Sequence, residues 1–227
     1  MNSKTITREQ LAKMFDHTNL KAFATKKDFD KLCQEAKDNH FAMVAINSYP
    51  VQYCKKLLKD TDVHVGAAIA FPLGQMTIAS KIAEITNAIN DGADEIDYVL
   101  NVGKVKEGDY AYIEEEMTRI VKVCHDKQKL VKVIFEICYL TNEEIQKVAE
   151  IAKRVQPDFI KTSTGFGTSS ATIAAVKLMK DTVGEKVQVK AAGGIRSWET
   201  AAQMIDAGAS RLGTSSAFKI LEGFDKR

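Results

Sequence analysis

Short runs of apolar and β-branched residues alternate along the whole chain with longer segments in which apolar residues recur every three or four positions. The short runs predict eight strands, near residues 14–18, 41–46, 63–70, 95–100, 131–136, 158–162, 187–191 and 211–213. Between two of them, Ile78, Ile82, Ile85 and Ile89 follow one another at spacings of four, three and four residues. This spacing places the four side chains on one face of a helix. The pattern therefore predicts strands and helices in strict alternation.

Signals for helix ends occur where this alternation requires them. Thr141 precedes Glu144 by three residues, the spacing of a capping box at the start of a helix. The similar segments DGADEID and DAGASRLG place Gly92 and Gly208 just before predicted strands, where the C-terminal cap of a helix needs a positive φ. One helix-to-strand unit is thus predicted to recur.

Strict alternation of strands and helices implies a parallel sheet with right-handed crossovers. Eight units in 227 residues predict an α/β fold of the (β/α)8 TIM-barrel class, with residues 1–227 forming a single domain. A doubly wound open sheet is the alternative. That fold normally carries a glycine-rich phosphate turn after its first strand, whereas here the first run is followed by HTNLKAF at 17–23.

Charged residues interrupt four predicted strands, although strands covered on both faces should be almost entirely apolar. Asp97, Lys132 and Lys190 alternate with apolar residues, and Lys161 follows an apolar pair. If the apolar faces pack against helices, these charges point into the barrel, near the strand ends that carry the active sites of such barrels. A sheet with one solvated face, or strand ends in solvent, would accommodate any single charge equally well.

A lysine that is buried or lies beside another cation has a lowered pKa, because both conditions disfavour the ammonium form. A pKa lowered from about 10.4 to about 7–8 corresponds to roughly 3–4 kcal/mol between the two protonation states. Such a lysine supplies a neutral amine that can attack a carbonyl carbon. Lys161 and Lys190 lie on consecutive predicted strands and are the candidates for this pairing.

Glycine and hydroxyl residues follow the last two predicted strands. Gly193 and Gly194 come after the seventh strand, and Gly213, Thr214, Ser215 and Ser216 come at the eighth. Barrels often bind phosphate at these loops through backbone N–H groups and a helix N-terminus. Each segment alone could equally be a plain turn, but their joint position favours a phosphate site.

Composition excludes several classes of function. The chain is 45% hydrophobic and 27% charged, with a net charge of +2 and no run of five like charges, so neither a nucleic-acid nor a membrane partner is expected. The start, MNSKTITREQLAKMF, contains no apolar signal core, so a cytoplasmic protein is expected. The cysteines show no C-x-x-C spacing and the histidines no H-x-x-x-H spacing, so no metal site is expected.

Six segments together resemble the deoxyribose-phosphate aldolases, a family of Schiff-base-forming class I aldolases on a (β/α)8 barrel. They are FDHT at 15–18, DEIDYVLNVG at 94–103, LVKVIFE at 130–136, DFIKTSTGFG at 158–167, VKAAGGIRS at 189–197 and RLGTSSA at 211–217. They run over nearly the whole chain in the family's order. The resemblance implies reversible cleavage of 2-deoxy-D-ribose 5-phosphate to D-glyceraldehyde 3-phosphate and acetaldehyde, in deoxynucleoside catabolism, without a redox cofactor or metal.

The resemblance also implies roles for individual residues. Lys161 is similar to the Schiff-base lysine, Lys190 to the second lysine that perturbs it, and Asp97 to the proton donor and acceptor that acts with Lys190. Asp16 and Lys132 match supporting polar positions. The expected phosphate-binding residues are Thr164, Gly193, Gly194, Gly213, Ser215 and Ser216.

Two departures from the family pattern qualify the resemblance. Asn47 stands where many members have cysteine, so a thiol at this position is not required here. The sequence ends in EGFDKR without the terminal tyrosine that some members use in proton transfer, so another group or water must serve. A phosphosugar isomerase or epimerase and a non-catalytic sugar-phosphate-binding protein stay open as alternatives. A homo-oligomer is expected, with the dimer as its expected form.

Overall fold

Eight parallel strands close into a barrel in the computed structural model of the chain, which describes residues 2–227. Each strand pairs with its neighbours in sequence, and β1 pairs with β8. The strands are β1 (Phe15–Thr18), β2 (Met43–Asn47), β3 (His64–Ile69), β4 (Glu95–Val99), β5 (Leu130–Ile134), β6 (Phe159–Lys161), β7 (Gln188–Ala192) and β8 (Arg211–Thr214).

Helices fill the connections between the strands. They are α1 (Arg8–Ala12), α2 (Lys26–Asp38), α3 (Val51–Leu57), α4 (Ile78–Asn90), α5 (Val102–Lys106), α6 (Tyr110–Asp126), α7 (Asn142–Val155), α8 (Ile173–Val183), α9 (Trp198–Asp206) and α10 (Ala217–Asp225). A 3-10 turn, Ile137–Tyr139, follows β5. Among these described helices, none is both long and apolar enough to cross a bilayer.

The helix ends form as the sequence predicts. At the start of α7, the Thr141 backbone N–H donates to Glu144 Oε2 at 2.7 Å, and the Glu144 N–H donates to Thr141 Oγ1 at 3.2 Å. After α4 and α9, Gly92 and Gly208 have φ values of +105° and +109°, which residues with a β-carbon rarely adopt. These local features let each helix stop and the next strand begin within a few residues.

The apolar core lies mainly between the barrel and its helices. Ile96, Tyr98, Val131, Val133 and Val189 alternate with the charged strand residues and are fully buried. The isoleucines of α4 face the same layer, with Ile78 and Ile85 buried and the other two packed against the core. Because the apolar faces of the strands pack outward, the charged faces are left to line the barrel interior.

The predicted strands are confirmed, each to within two residues at either end. The open-sheet alternative is wrong, because the β1–β8 pairing leaves no sheet edge. Closure has a direct consequence for the charged strand residues. They cannot face solvent from a sheet surface and must be accommodated inside the barrel.

Candidate active site

A cavity of about 220 Å³ opens at the carboxyl ends of the barrel strands. It is lined by the ends of β1, β6, β7 and β8 and by the loops that follow them, namely Thr18, Asn19, Leu20, Lys21, Lys161, Thr164, Gly165, Phe166, Ala192, Gly193, Gly194, Ile195, Arg196, Gly213, Thr214, Ser215 and Ser216. All six predicted phosphate-binding residues are among them. Of the five predicted catalytic residues, only Lys161 lines the cavity.

Lys161 occupies the last position of β6, where strand register places it beside Lys190 of β7. Its Nζ lies 3.0 Å from Asp97 Oδ2, and Lys190 Nζ lies 2.7 Å from the same oxygen. All three side chains are almost fully buried. The structure thus brings the two lysines to a single carboxylate oxygen, an arrangement that strand spacing alone did not establish.

The pKa of Lys161 is lowered to about 8. Burial is the largest cause and the charge of Lys190 the second, and together they outweigh the attraction of Asp97. An amine with this pKa is partly neutral near physiological pH and is available for attack on an aldehyde.

Asp97 stays ionised, because its neighbours outweigh the cost of its burial. Burial alone would raise its pKa, but Lys132, Lys190 and Lys161 hold the pKa well below its usual value. Asp97 Oδ1 accepts a hydrogen bond from Lys132 Nζ at 2.8 Å. The carboxylate therefore serves as a fixed acceptor between the side chains of three lysines.

Three carboxylates and three cations inside the barrel form a closed ring of alternating charge. The contacts run in order through Arg211, Asp16, Lys190, Asp97, Lys132 and Glu95, and return to Arg211. We call these six residues the charge ring. Four of its six contacts are 2.7 to 3.1 Å long, and the Asp16–Lys190 and Lys132–Glu95 contacts are shorter. Paired in this way, charges can be buried that would otherwise be costly to remove from water.

Asp16 and Lys132 belong to the charge ring and lie beneath the cavity rather than in its wall. Burial would lower the pKa of Lys132, but Asp97 and Glu95 raise it above its usual value. Lys132 is therefore a permanent cation and cannot supply a free amine. Of these two lysines inside the barrel, Lys132 therefore has a raised pKa and Lys161 a lowered one.

The part of the cavity wall formed after β7 has backbone that only glycine tolerates. Gly193 and Gly194 have φ values of +85° and +73°, and a β-carbon on Gly193 would lie 2.8 Å from Ser170 Oγ. Ser216 is the N-cap residue of α10, but its side chain makes no capping hydrogen bond. The positive end of the α10 dipole therefore meets the same cavity.

Gly213 borders the cavity and also leaves space for the side chain of Lys190. A β-carbon at this position would lie 3.1 Å from Lys190 Cε and 3.0 Å from Ala192 Cβ. Since Lys190 is fully buried and contacts both Asp97 and Asp16, it has little room to move aside. The glycine therefore clears the path of the Lys190 side chain across the barrel.

The hydroxyl and backbone N–H of Thr164 are both held by one carboxylate. Thr164 Oγ1 donates to Glu136, and the Thr164 N–H donates to Glu136 Oε1 at 3.2 Å. Glu136 itself lies beyond the end of β5, with a left-handed φ of 55°, although the sequence pattern places it within the strand. Thr164 thus borders the cavity while its side chain fixes the loop after β6.

Two groups of residues escaped the sequence analysis. Lys21 and Arg196 place cationic side chains in the cavity wall. In the sequence, each is only a charged residue in a loop after a strand, which does not mark it as part of a site. Glu95 and Arg211 complete the charge ring. Glu95 was visible on the charged face of its strand, but no local signal marks Arg211, the first residue of β8. Within residues 2–227, no cluster of three or more His, Cys, Asp or Glu has the placement of a metal site.

Comparison with known proteins places this chain in a family. The family model of the DeoC/LacD aldolases matches residues 10–222. A deoxyribose-phosphate aldolase of Lactobacillus acidophilus is 54% identical over 221 residues, which cover 97% of this chain and 93% of the relative. A deoxyribose-phosphate aldolase of Thermococcus gammatolerans is 51% identical over 215 residues, covering 94% of this chain and 96% of the relative.

A solved structure shares the fold over nearly the full length. The tetrameric deoxyribose phosphate aldolase of Aeropyrum pernix superimposes with a TM-score of 0.89 at 31% identity, covering 96% of this chain and 92% of that chain. The family model and the solved structure both span the strands that carry the charge ring and the cavity.

Proposed function

This chain belongs to the DeoC/LacD family of aldolases, and we propose that it reversibly cleaves 2-deoxy-D-ribose 5-phosphate through an imine on Lys161. The products are D-glyceraldehyde 3-phosphate and acetaldehyde. The observation that carries the proposal is the set of groups that surround the cavity. There, a lysine with a pKa of about 8 faces a wall of glycine backbone, serine hydroxyls and a helix N-terminus. A nucleophilic amine and an anion site in one small cavity suit a phosphorylated aldehyde.

The reaction begins when the neutral amine of Lys161 adds to the C1 aldehyde carbon of the open-chain sugar. The carbinolamine loses water to give an imine, which is protonated on nitrogen. Asp97 Oδ2, 3.0 Å from Lys161 Nζ and 2.7 Å from Lys190 Nζ, is placed to pass protons between the two nitrogens and a bound water. The negative charge of Asp97 also stabilises the protonated imine.

The protonated imine then acts as the electron sink for carbon–carbon cleavage. Removal of the proton from the C3 hydroxyl lets the C2–C3 bond break, with its electron pair moving to C2 to form an enamine. Glyceraldehyde 3-phosphate leaves, C2 is protonated, and water hydrolyses the resulting imine to release acetaldehyde. A bound water linked to Asp97 and Lys190 accepts the proton from the C3 hydroxyl and returns one to C2, while the groups at Gly193, Gly194 and Ser216 hold the phosphate.

The proposal is tested by trapping the imine. Incubation of the enzyme with acetaldehyde and borohydride should replace one amine hydrogen per chain with an ethyl group, a net gain of C2H4, and peptide mapping should place it on Lys161. The Lys161→Met variant is the matched control and should stay unmodified under the same conditions. An active enzyme that is labelled only at other lysines would overturn the assignment. Turnover without any adduct would favour isomerase or epimerase chemistry, and binding without turnover a binding protein.

The phosphate site predicts a substrate-selective effect of Ser216→Asp. A carboxylate at the N-terminus of α10 would face a phosphate of about two negative charges, and we expect kcat/KM for deoxyribose 5-phosphate to fall about a hundredfold, equivalent to about 3 kcal/mol. For unphosphorylated deoxyribose, the loss should be only a few-fold. Since Asp is a favourable N-cap residue, the substitution should not weaken α10 itself.

Ser216→Asn provides the matched control, because asparagine has nearly the shape of aspartate without its charge. We expect this variant to keep most of its kcat/KM for both substrates. The ratio of the two losses is measured by steady-state kinetics on each substrate. Equal losses for both substrates in a Ser216→Asp protein with unchanged thermal stability would mean that the phosphate binds elsewhere.

We also infer that the chain works in the cytoplasm as a single barrel domain, assembled into a homodimer. Phosphorylated sugars are retained within the cell, and the four cysteines of the described chain are all free thiols. Phe23 and Tyr49 are exposed to 77% and 95%, large values for aromatic side chains, and they are suited to a contact between copies.

A further inference from the structure

The charge ring pairs each of its members with two partners of opposite charge. Arg211 contacts Asp16 and Glu95, Lys190 contacts Asp16 and Asp97, and Lys132 contacts Glu95 and Asp97. Three cations and three carboxylates sum to zero. The ring is therefore neutral and leaves no carboxylate in it without a cation on each side.

Lys161 is the seventh charged group in the barrel and lies outside the ring. Its one ion-pair contact, 3.0 Å long, is to Asp97 Oδ2, an oxygen that already accepts from Lys190 at 2.7 Å. Protonation of Lys161 would place an uncompensated positive charge in a buried site. Such a charge is unfavourable, so the amine tends to lose its proton instead.

We propose that Glu95 and Arg211 are positioning residues for the aldolase reaction, which keep the charge ring neutral and thereby leave Lys161 as the uncompensated lysine that reacts as a free amine. Neither residue lines the cavity. Both act at the base of the barrel, through their partners Lys132 and Asp16. The proposal rests on the imine chemistry at Lys161 proposed above.

The charged groups outside the ring do not take over its role in setting the net charge around Lys161. The ring members lie on β1, β4, β5, β7 and β8, while β2 carries no charged residue. β3 contributes His64, half-exposed at the far mouth, whose Nδ1 lies 2.8 Å from Glu95 Oε1. On the cavity side, Lys21 and Arg196 line the wall in contact with solvent. Water screens these wall charges more than it screens the ring.

Charge balance makes opposite predictions for the two residues. Glu95→Gln removes one negative charge and leaves the ring at +1, so Lys161 should lose its proton more readily. Arg211→Gln removes one positive charge and leaves the ring at −1, so the ammonium form of Lys161 should be favoured. One unit charge within a buried network should move the pH midpoint of adduct formation at Lys161 by about one pH unit. The shift should be downward for Glu95→Gln and upward for Arg211→Gln.

The double variant Glu95→Gln/Arg211→Gln separates charge balance from damage to the fold. It restores a neutral set of charges, so the midpoint should return to within a few tenths of a unit of the wild-type value. If the two residues acted only as structural supports, the double variant would be at least as impaired as either single one. Arg211→Lys keeps the charge and should hold the wild-type midpoint.

The measurement is the pH dependence of adduct formation between acetaldehyde and Lys161, trapped by borohydride and followed by intact mass. Glu116→Gln is the matched control. It breaks another fully buried ion pair, Lys81–Glu116 at 2.7 Å, which lies outside the barrel interior. This control should lower the melting temperature without moving the midpoint.

Opposite shifts of the two single variants, cancelled in the double variant, would support the proposal. Unchanged midpoints, or shifts in the same direction, would overturn it while leaving the wild-type adduct and the proposed function intact. Absence of any adduct on Lys161 in the wild-type enzyme would instead refute the proposed function. If Glu95→Gln does not fold, Arg211→Gln against Arg211→Lys decides the question, because only the first changes the charge.

Discussion

Replacing Lys161 with methionine is expected to reduce kcat/KM for deoxyribose 5-phosphate by about four orders of magnitude or more, the scale on which removal of an enzyme's nucleophile is felt. Methionine has a similar length but no amine, so no imine can form. The remaining groups of the site can still bind the phosphate and cannot break the C2–C3 bond. Steady-state kinetics and the absence of a borohydride-trapped adduct measure this loss.

The same variant should be more stable than the wild-type protein at neutral pH. Burial and Lys190 lower the pKa of Lys161 from 10.5 to about 8, so the folded state binds this proton less tightly than the unfolded chain does. The resulting penalty is fully present below pH 8 and disappears as the pH rises towards 10.5. It amounts to about 3 kcal/mol at pH 7, an upper value for the expected gain.

Thermal unfolding at pH 7 and at pH 9.5 tests the sign of this effect. The gain in stability of Lys161→Met should be larger at the lower pH. An inactive variant that is also less stable at pH 7 would show that Lys161 contributes structural support, and would contradict the penalty inferred from its pKa. A stable, inactive variant is the expected outcome where a catalytic group is buried at a cost to the fold.

Lys190→Leu is expected to reduce activity at pH 7 by about a thousandfold, through two effects of different kind. Loss of the neighbouring cation raises the pKa of Lys161. Asp97, which raises this pKa, is then opposed only by burial and no longer by the positive charge of Lys190. Each unit of increase lowers the neutral fraction of the amine tenfold, so the activity profile should move to higher pH. Loss of a proton-carrying group lowers the maximum rate itself.

Lys190→Arg separates these two effects. Arginine keeps the positive charge, so the pH profile should stay near that of the wild type, while kcat falls because a guanidinium does not give up its proton. The pH dependence of kcat/KM for both variants is the measurement. A Lys190→Leu enzyme with an unchanged profile would rule out charge coupling between the two lysines, whatever its maximum rate.

The strands and their order were predictable because the signals that specify them are local. An apolar run followed by a helical repeat can satisfy its burial only in a parallel sheet covered by helices, and each end is marked by a cap or a glycine. The boundaries agree to within two residues, and the largest differences are at the start of β2, at Met43 rather than 41, and at the end of β5, at Ile134 rather than 136. The glycine-rich loops around the cavity were predictable for the same reason, since glycine reports a backbone requirement at its own position.

The alternation of charged and apolar residues also established which side chains enter the barrel. Asp97, Lys132 and Lys190 alternate with apolar residues, Lys161 follows an apolar pair on its strand, and all four are buried inside the barrel. Parity gives the face of a strand, but it does not give the distance between residues of different strands. The contact of both Lys161 and Lys190 with Asp97 Oδ2 depends on the register of several strand pairs.

The sequence by itself therefore determined the barrel, the inward-facing charges and the loops that surround the cavity, because each follows from residues close together in the chain. Only the tertiary structure decided how the charges pair. Arg211 contacts Asp16 and Glu95, which lie 195 and 116 residues away from it in the chain. Ion pairing acts through space, so the partners of a buried charge are settled only when the barrel closes. That closure makes the ring neutral and leaves Lys161 as the lysine without a carboxylate of its own.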